Sequence, residues 1–224
     1  MTPGRAAIVE GWPLFLTSLV IGIPYGVIAR QAGLSIGEAS ATSVILFAGA
    51  SQFAMVELLR SGTDGPLIVL TVVLINARHL LMAAALRPFV VAAPLPRRLG
   101  LAYLLTDEAF AVGIGWFRRG HRDLTYYTVF ATLLWCCWNV GTLVGATFGA
   151  DIQDPQRYGV DFAITASFVA IVVIGVRHRA DAVVAVFAAL VAAGLRLAGA
   201  SAGAVVIAGA IAPLVAFALR ERPE

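Results

Sequence analysis

"TDEAFAV", residues 106–112, lies inside an apolar run from Leu99 to Phe117. Its adjacent carboxylates, Asp107 and Glu108, stand where a membrane helix tolerates charge least. A charge at a helix centre costs roughly 2.5–3.5 kcal/mol on insertion scales. Whether this run is a membrane segment or the core helix of a soluble domain decides the fold, and the rest of the chain answers. Its 224 residues are 60% hydrophobic and 13% charged, against about 45–50% and about 25% in soluble domains. The apolar residues come in blocks close to the roughly 20 residues that a membrane helix needs. The blocks are 12–29, 39–59, 66–86, 99–117, 124–149, 158–176, 181–198 and 200–219. The expectation is an all-α membrane protein: one polytopic bundle over residues 1–224, with about seven or eight transmembrane helices and no soluble domain.

The formal net charge is +3, and every basic residue is Arg. The arginines cluster between apolar blocks, as loops beside a bilayer do, and no basic patch interleaved with aromatics suggests nucleic acid. Cys136 and Cys137 are adjacent in one span and read as buried packing residues, not as a disulfide frame or a metal site. No metal or cofactor is expected. Arg5 precedes an apolar run from Trp12 that is too long for a signal-peptide core, so this segment reads as a retained first helix. With eight spans and the N-terminus inside, the inner side carries nine arginines and the other side six, a narrow majority for that orientation. The conflict is local. The 87–98 and 118–122 loops are both Arg-rich, yet a straight span at 99–117 sends them to opposite faces. That span is either broken or re-enters.

Glycine spacing suggests a repeat. Gly22 and Gly26 form a G-x-x-x-G, and Gly141, Gly145 and Gly149 form a longer version 119 residues later. A polar break follows each, then a span with a mid-helix serine, Ser51 or Ser167. One reading is a duplicated three-helix unit with broken helices, 12–86 and 124–198, as in secondary transporters that bind substrate at a repeat interface. The other is that small-residue stripes only let helices pack closely.

Polar residues within the spans give the candidate site. In "INARHLL", residues 75–81, Asn76 and His79 are three apart and share a face, while Arg78 points about 100° away from His79. Arg78 is the natural partner for Asp107 or Glu108. One Arg against two carboxylates leaves a negative charge unless a carboxyl or His79 holds a proton, a setting for proton-linked movement. The alternative is a static pair that fixes helix register. The favoured division is Asp107 as the structural partner and Glu108, with its longer reach, as the group that takes up and releases a proton. In "FAGASQF", residues 47–53, Gly49 and Ser51 weaken the helix and Gln52 adds an amide. Unwound backbone at membrane depth must line protein or a cavity, and its free N–H and C=O groups can hold a zwitterion. The alternative there is a close-packed helix contact. In "GIPYG", residues 22–26, Pro24 removes a helical hydrogen bond and favours a kink, and Tyr25 reads as an interface or cavity aromatic.

These motifs, in this order, resemble the AzlC family of branched-chain amino-acid permeases, the larger subunit of a two-component exporter. The matching pieces are "GIPYGVIARQAGLS", "FAGASQF", "INARHLLMAAALRP", "LTDEAFA", "GTLVGATFG" and "YGVDFA", over roughly residues 20–165. The resemblance implies a multi-pass protein of the bacterial inner (plasma) membrane that exports small hydrophobic amino acids. It also implies a small membrane partner of the AzlD type. On this reading the chain is a transporter and not an enzyme. Three other readings stand beside it, one of them a channel. A rhomboid-like intramembrane serine protease would pair Ser51 with His79, but gives no reason for Arg78, Asp107 and Glu108. A non-transporting structural subunit is the third, and substrate flux in liposomes would separate it from a transporter.

Overall fold

The computed structural model describes residues 1–149, 176, 179–199, 208 and 211, and every regular element among them is helical. The helices are α1 (Pro3–Gln31), α2 (Ile36–Leu46), α3 (Gly49–Arg60), α4 (Gly65–Asn76), α5 (Arg78–Val90), α6 (Leu95–Tyr103), α7 (Asp107–Arg118), α8 (Thr125–Phe148) and α9 (Arg179–Leu197). Three stretches among the described residues are long and apolar enough to cross a membrane: Pro3–Gln31, Gly65–Val90 and Thr125–Phe148. Ser167 and nearly all of the windows 158–176 and 200–219 lie outside the described residues.

The spine is α1 against α8. α1 stays helical through Pro13 and Pro24. The two helices run in the same direction: Gly4 faces Thr125 and Val129, Gly11 faces Phe130, Gly22 faces Gly141, and Gly26 faces Gly145. A Cβ on Gly22 would stand 2.7 Å from the Trp138 carbonyl, and one on Gly141 or Gly145 would run into the carbonyl of Leu19 or Ile23. Only glycine allows backbones this close. The Ser18 hydroxyl adds a bond to the Leu134 carbonyl at 3.3 Å. The two G-x-x-x-G stripes therefore meet each other, position for position. One end of this pair, here the near end, holds the chain start and the head of α8. There Tyr126 donates to Glu10 at 2.7 Å. Gln31 and Phe148 mark the far end.

The 99–117 window is not a straight span. Phe89 stacks on Phe117 at 4.8 Å, the Arg122 guanidinium lies 5.4 Å over the Phe89 ring, and Trp116 stacks on Tyr126 at 4.1 Å. The start of α6 and the end of α7 therefore both sit at the near end. The chain doubles back at Leu104–Thr106. Thr106 explains why: its hydroxyl accepts from the Ala109 N–H at 3.2 Å and so starts a new helix, α7. Of the two sequence alternatives, re-entry is the one observed.

A parity argument then fixes the second window. α1 carries the chain to the far end. α4 and α5, jointed at Ala77, return it to Phe89 at the near end, so Gly65 lies at the far end. The intervening α2 and α3 must start and finish there. They turn at Phe47, a non-glycine residue in the left-handed region with φ 34°. Ser35 starts α2 with a capping box, its hydroxyl accepting from the Glu38 N–H while Glu38 accepts from the Ser35 N–H at 2.7 Å. The single span expected at 39–59 is thus corrected to a hairpin, and the broken or re-entrant segment expected at 99–117 is a second one. Each arm is 9–12 residues, about 14–18 Å at 1.5 Å per residue, half the thickness of a bilayer core.

The hairpins enter from opposite ends and their tips touch. The Tyr103 hydroxyl donates to the Val44 carbonyl, and Trp135, halfway along α8, donates to Tyr103 at 2.8 Å. Leu104 packs against two clusters of buried side chains, one around Phe117, Tyr127 and Phe130 and one around Tyr25, Phe53 and Trp138. Cys136 is exposed, which corrects its reading as buried, while Cys137 is half-buried against the cluster of Phe15, Phe130 and Leu134; both are free thiols.

Candidate functional site

Two polar groups form at the hairpin tips. The first surrounds the start of α3. Its N-cap is Ala48, which has no side chain to satisfy the first N–H groups. Gly49, Ala50 and Ser51 therefore present N–H groups without helical acceptors. Gln52 is fully buried. Its Oε1 accepts from the Ala48 N–H at 3.2 Å, and its Nε2 has no partner among the described residues. Ser51, also fully buried, donates to the Ala48 carbonyl at 2.9 Å.

Trp138 of α8 closes this group. A Cβ on Gly49 would lie 3.0 Å from the Trp138 ring. Tyr25 stacks on Trp138 at 6.0 Å and meets Phe53 edge-on at 5.6 Å. The Tyr25 hydroxyl bonds the Thr42 hydroxyl at 2.8 Å, and Ser43 bonds Thr142 at 3.0 Å. Tyr25, Gly49, Ser51 and Gln52, singled out from sequence, are thus brought together. Trp138, whose Nε1 is buried without a partner among the described residues, was not. Its signal was its place one turn before Gly141, on the face of α8 that meets α1.

The second group sits where α5 and α7 begin. Arg78 Nη2 pairs with Asp107 Oδ2 at 2.8 Å. Asp107 and Glu108 are in the first turn of α7, not at a helix centre, and the positive end of the helix dipole favours both. The pair is 38% and 51% exposed, so it is not a sealed ion pair and its net contribution is discounted accordingly. Glu108 is exposed and forms no ion pair among the described residues. Asn76 and His79 face each other across the α4–α5 joint, His79 Nδ1 lying 3.0 Å from the Asn76 carbonyl. Asn76 Oδ1 is buried without a partner among the described residues. Ser51 and His79 are each engaged with a local backbone carbonyl and not with each other. The arrangement offers amide donors on one hairpin and an acidic helix start on the other, with Tyr103 joining the tips.

The family model described as AzlC protein matches residues 13–152. Inner membrane protein YgaZ of Escherichia coli (strain K12) is 30% identical over 157 residues, 67% of this chain and 64% of that protein. The chain thus spans just under two thirds of that relative's length. An uncharacterized membrane protein of Archaeoglobus fulgidus is 28% identical over 179 residues, 78% and 77% of the two chains. One from Helicobacter pylori (strain J99) is 30% identical over 159 residues, 70% and 68% of the two. No solved structure matches at a significant level.

Proposed function

The chain belongs to the AzlC family of membrane proteins, and on that premise we propose that it is a multi-pass transporter of the inner membrane that exports small hydrophobic amino acids such as the branched-chain ones. The observation that carries this reading is the uncapped start of α3 halfway through the bundle. Three N–H groups without helical acceptors and the Gln52 amide suit a carboxylate, and the aromatic wall of Tyr25, Phe53 and Trp138 suits an apolar side chain. Half-helix ends at mid-membrane depth serve this purpose in secondary transporters. Glu108, exposed and without an ion-pair partner among the described residues, stands next to the Arg78–Asp107 link and is the group we propose as proton carrier. Arginine distribution supports an inside N-terminus: up to Phe148, the near end holds Arg5, three arginines in 87–98 and three in 118–122, against Arg30 and Arg60 at the far end. A small AzlD-type membrane protein is the expected partner. The test is efflux of valine, leucine and isoleucine from cells expressing this chain, with and without that partner. Ser51→Ala with Gln52→Ala should lower efflux while membrane abundance holds. Unchanged efflux in the double variant would remove the site from α3.

A further inference from the structure

The near end holds more positive charge than its own carboxylates can use. Up to Phe148, two acidic side chains lie there, and both are engaged. Glu10 accepts from Tyr126 and pairs with Arg119 at 3.4 Å. Asp123 accepts from the Thr125 N–H at 2.7 Å and lies within the field of Arg97. Arg5, Arg87, Arg98 and Arg118 have no carboxylate partner among the described residues, and the Nε of half-buried Arg98 has no acceptor among them either. Doubling back of α6 and α7 is what gathers these arginines, since a straight span would separate the 87–98 loop from the 118–122 loop.

What surrounds the guanidiniums is apolar. Val91, Leu95 and Leu99 are 46%, 57% and 61% exposed beside Arg97 and Arg98. Trp12, two residues beyond Glu10, is 60% exposed, the placement of an interfacial aromatic. A ligand that satisfies both features carries negative charge at one end and hydrocarbon at the other. We infer that the near end is a binding surface for anionic phospholipid, with headgroup phosphates on Arg98 and Arg118 and acyl chains along α6. Free phosphate meets only half of this chemistry. The assignment rests on the chain's being a membrane protein and is independent of whether it transports.

The experiment uses the full chain in neutral detergent and follows its melting temperature during titration with phosphatidylglycerol micelles. Phosphatidylcholine and inorganic phosphate serve as comparison ligands. Melting should rise with phosphatidylglycerol alone. The Arg98→Gln, Arg118→Gln double variant should need about thirtyfold more phosphatidylglycerol for the same rise, the equivalent of about 1 kcal/mol for each basic residue near an anionic surface. An equal rise with phosphatidylcholine, an equal rise with inorganic phosphate, or an unchanged midpoint in the variant would overturn the assignment. If that variant does not fold in phosphatidylcholine, the exposed pair Arg5→Gln and Arg87→Gln takes its place, with the same expected loss and the same overturning result.

Discussion

At Gly145 a single methyl group decides how closely two helices approach. Its Cβ would meet the Ile23 carbonyl, a backbone atom that cannot rotate away. Gly145→Ala should therefore push α1 off α8 and cost about 1–3 kcal/mol, the usual range for overpacking. Melting in detergent measures this, and a wild-type midpoint would contradict the seam. At the carboxylates the prediction is a difference. Asp107→Asn breaks the link to Arg78 and should lower membrane yield. Glu108→Gln breaks no ion pair, should keep yield, and should abolish pH-driven accumulation; full pH-driven transport in that variant would return the carboxylates to a purely architectural role. Asp123, in the loop before α8, titrates differently. Bonds from the Thr125 hydroxyl and N–H, helped by Arg97, hold its carboxyl below the ordinary 3.8. A carboxyl depressed on folding adds stability above its unfolded value and loses it as pH falls through the folded one. Protection from hydrogen exchange at the head of α8, taken relative to the intrinsic exchange rate at each pH, should thus fall below about pH 4, the ordinary aspartate range, and Asp123→Asn should remove that dependence. An acid response that persists in the variant would assign it elsewhere. The pairing of Arg78 was legible in the sequence because uncompensated charge in an apolar run demands a partner. The position of Asp107 within its helix was not, because Leu99–Phe117 read as one apolar block. Thr106 followed by two acids is a helix-start signature that hydropathy hid.

For the elements, the sequence suggested a break within 99–117 and weak helix at 47–53, while the direction after each break was out of reach. A window of about 20 apolar residues has the same composition whether it crosses once or goes halfway and returns. Only contacts distant in sequence, such as Phe89 with Phe117, distinguish the two. The two tips depend on Tyr103, which donates to Val44 and accepts from Trp135. Tyr103→Phe removes both bonds, each worth about 1 kcal/mol. Amide exchange at residues 44–48 and 104–106 should accelerate about fivefold or more, with α1 and α8 unaffected. Exchange that rises across the whole bundle, or nowhere, would show that the tips are held by packing alone.

In the whole molecule, the hairpins set which loops share a side. The sequence count of nine arginines against six was nearly balanced because it sent the 87–98 loop to the wrong face. Topology can be read directly. In a variant lacking Cys136 and Cys137, single cysteines at Arg97 and Arg119 should react with a membrane-impermeant thiol reagent from the same side. Cysteines at Gly33 and Gly62 should react from the opposite side. Labelling of Arg97→Cys and Arg119→Cys from different sides would rule out the α6–α7 hairpin. The glycine seam has a consequence for synthesis. α1 is made 119 residues before the stretch of α8 that covers it. At about 5–20 residues per second, its glycine face waits roughly 6–24 s in the bilayer without its partner. During that interval both hairpins and the long α4–α5 stretch must insert beside a helix whose best contact does not yet exist. Nascent chains stalled before Thr125 are therefore the form most open to membrane proteases, and completion of α8 is the step that ends that exposure.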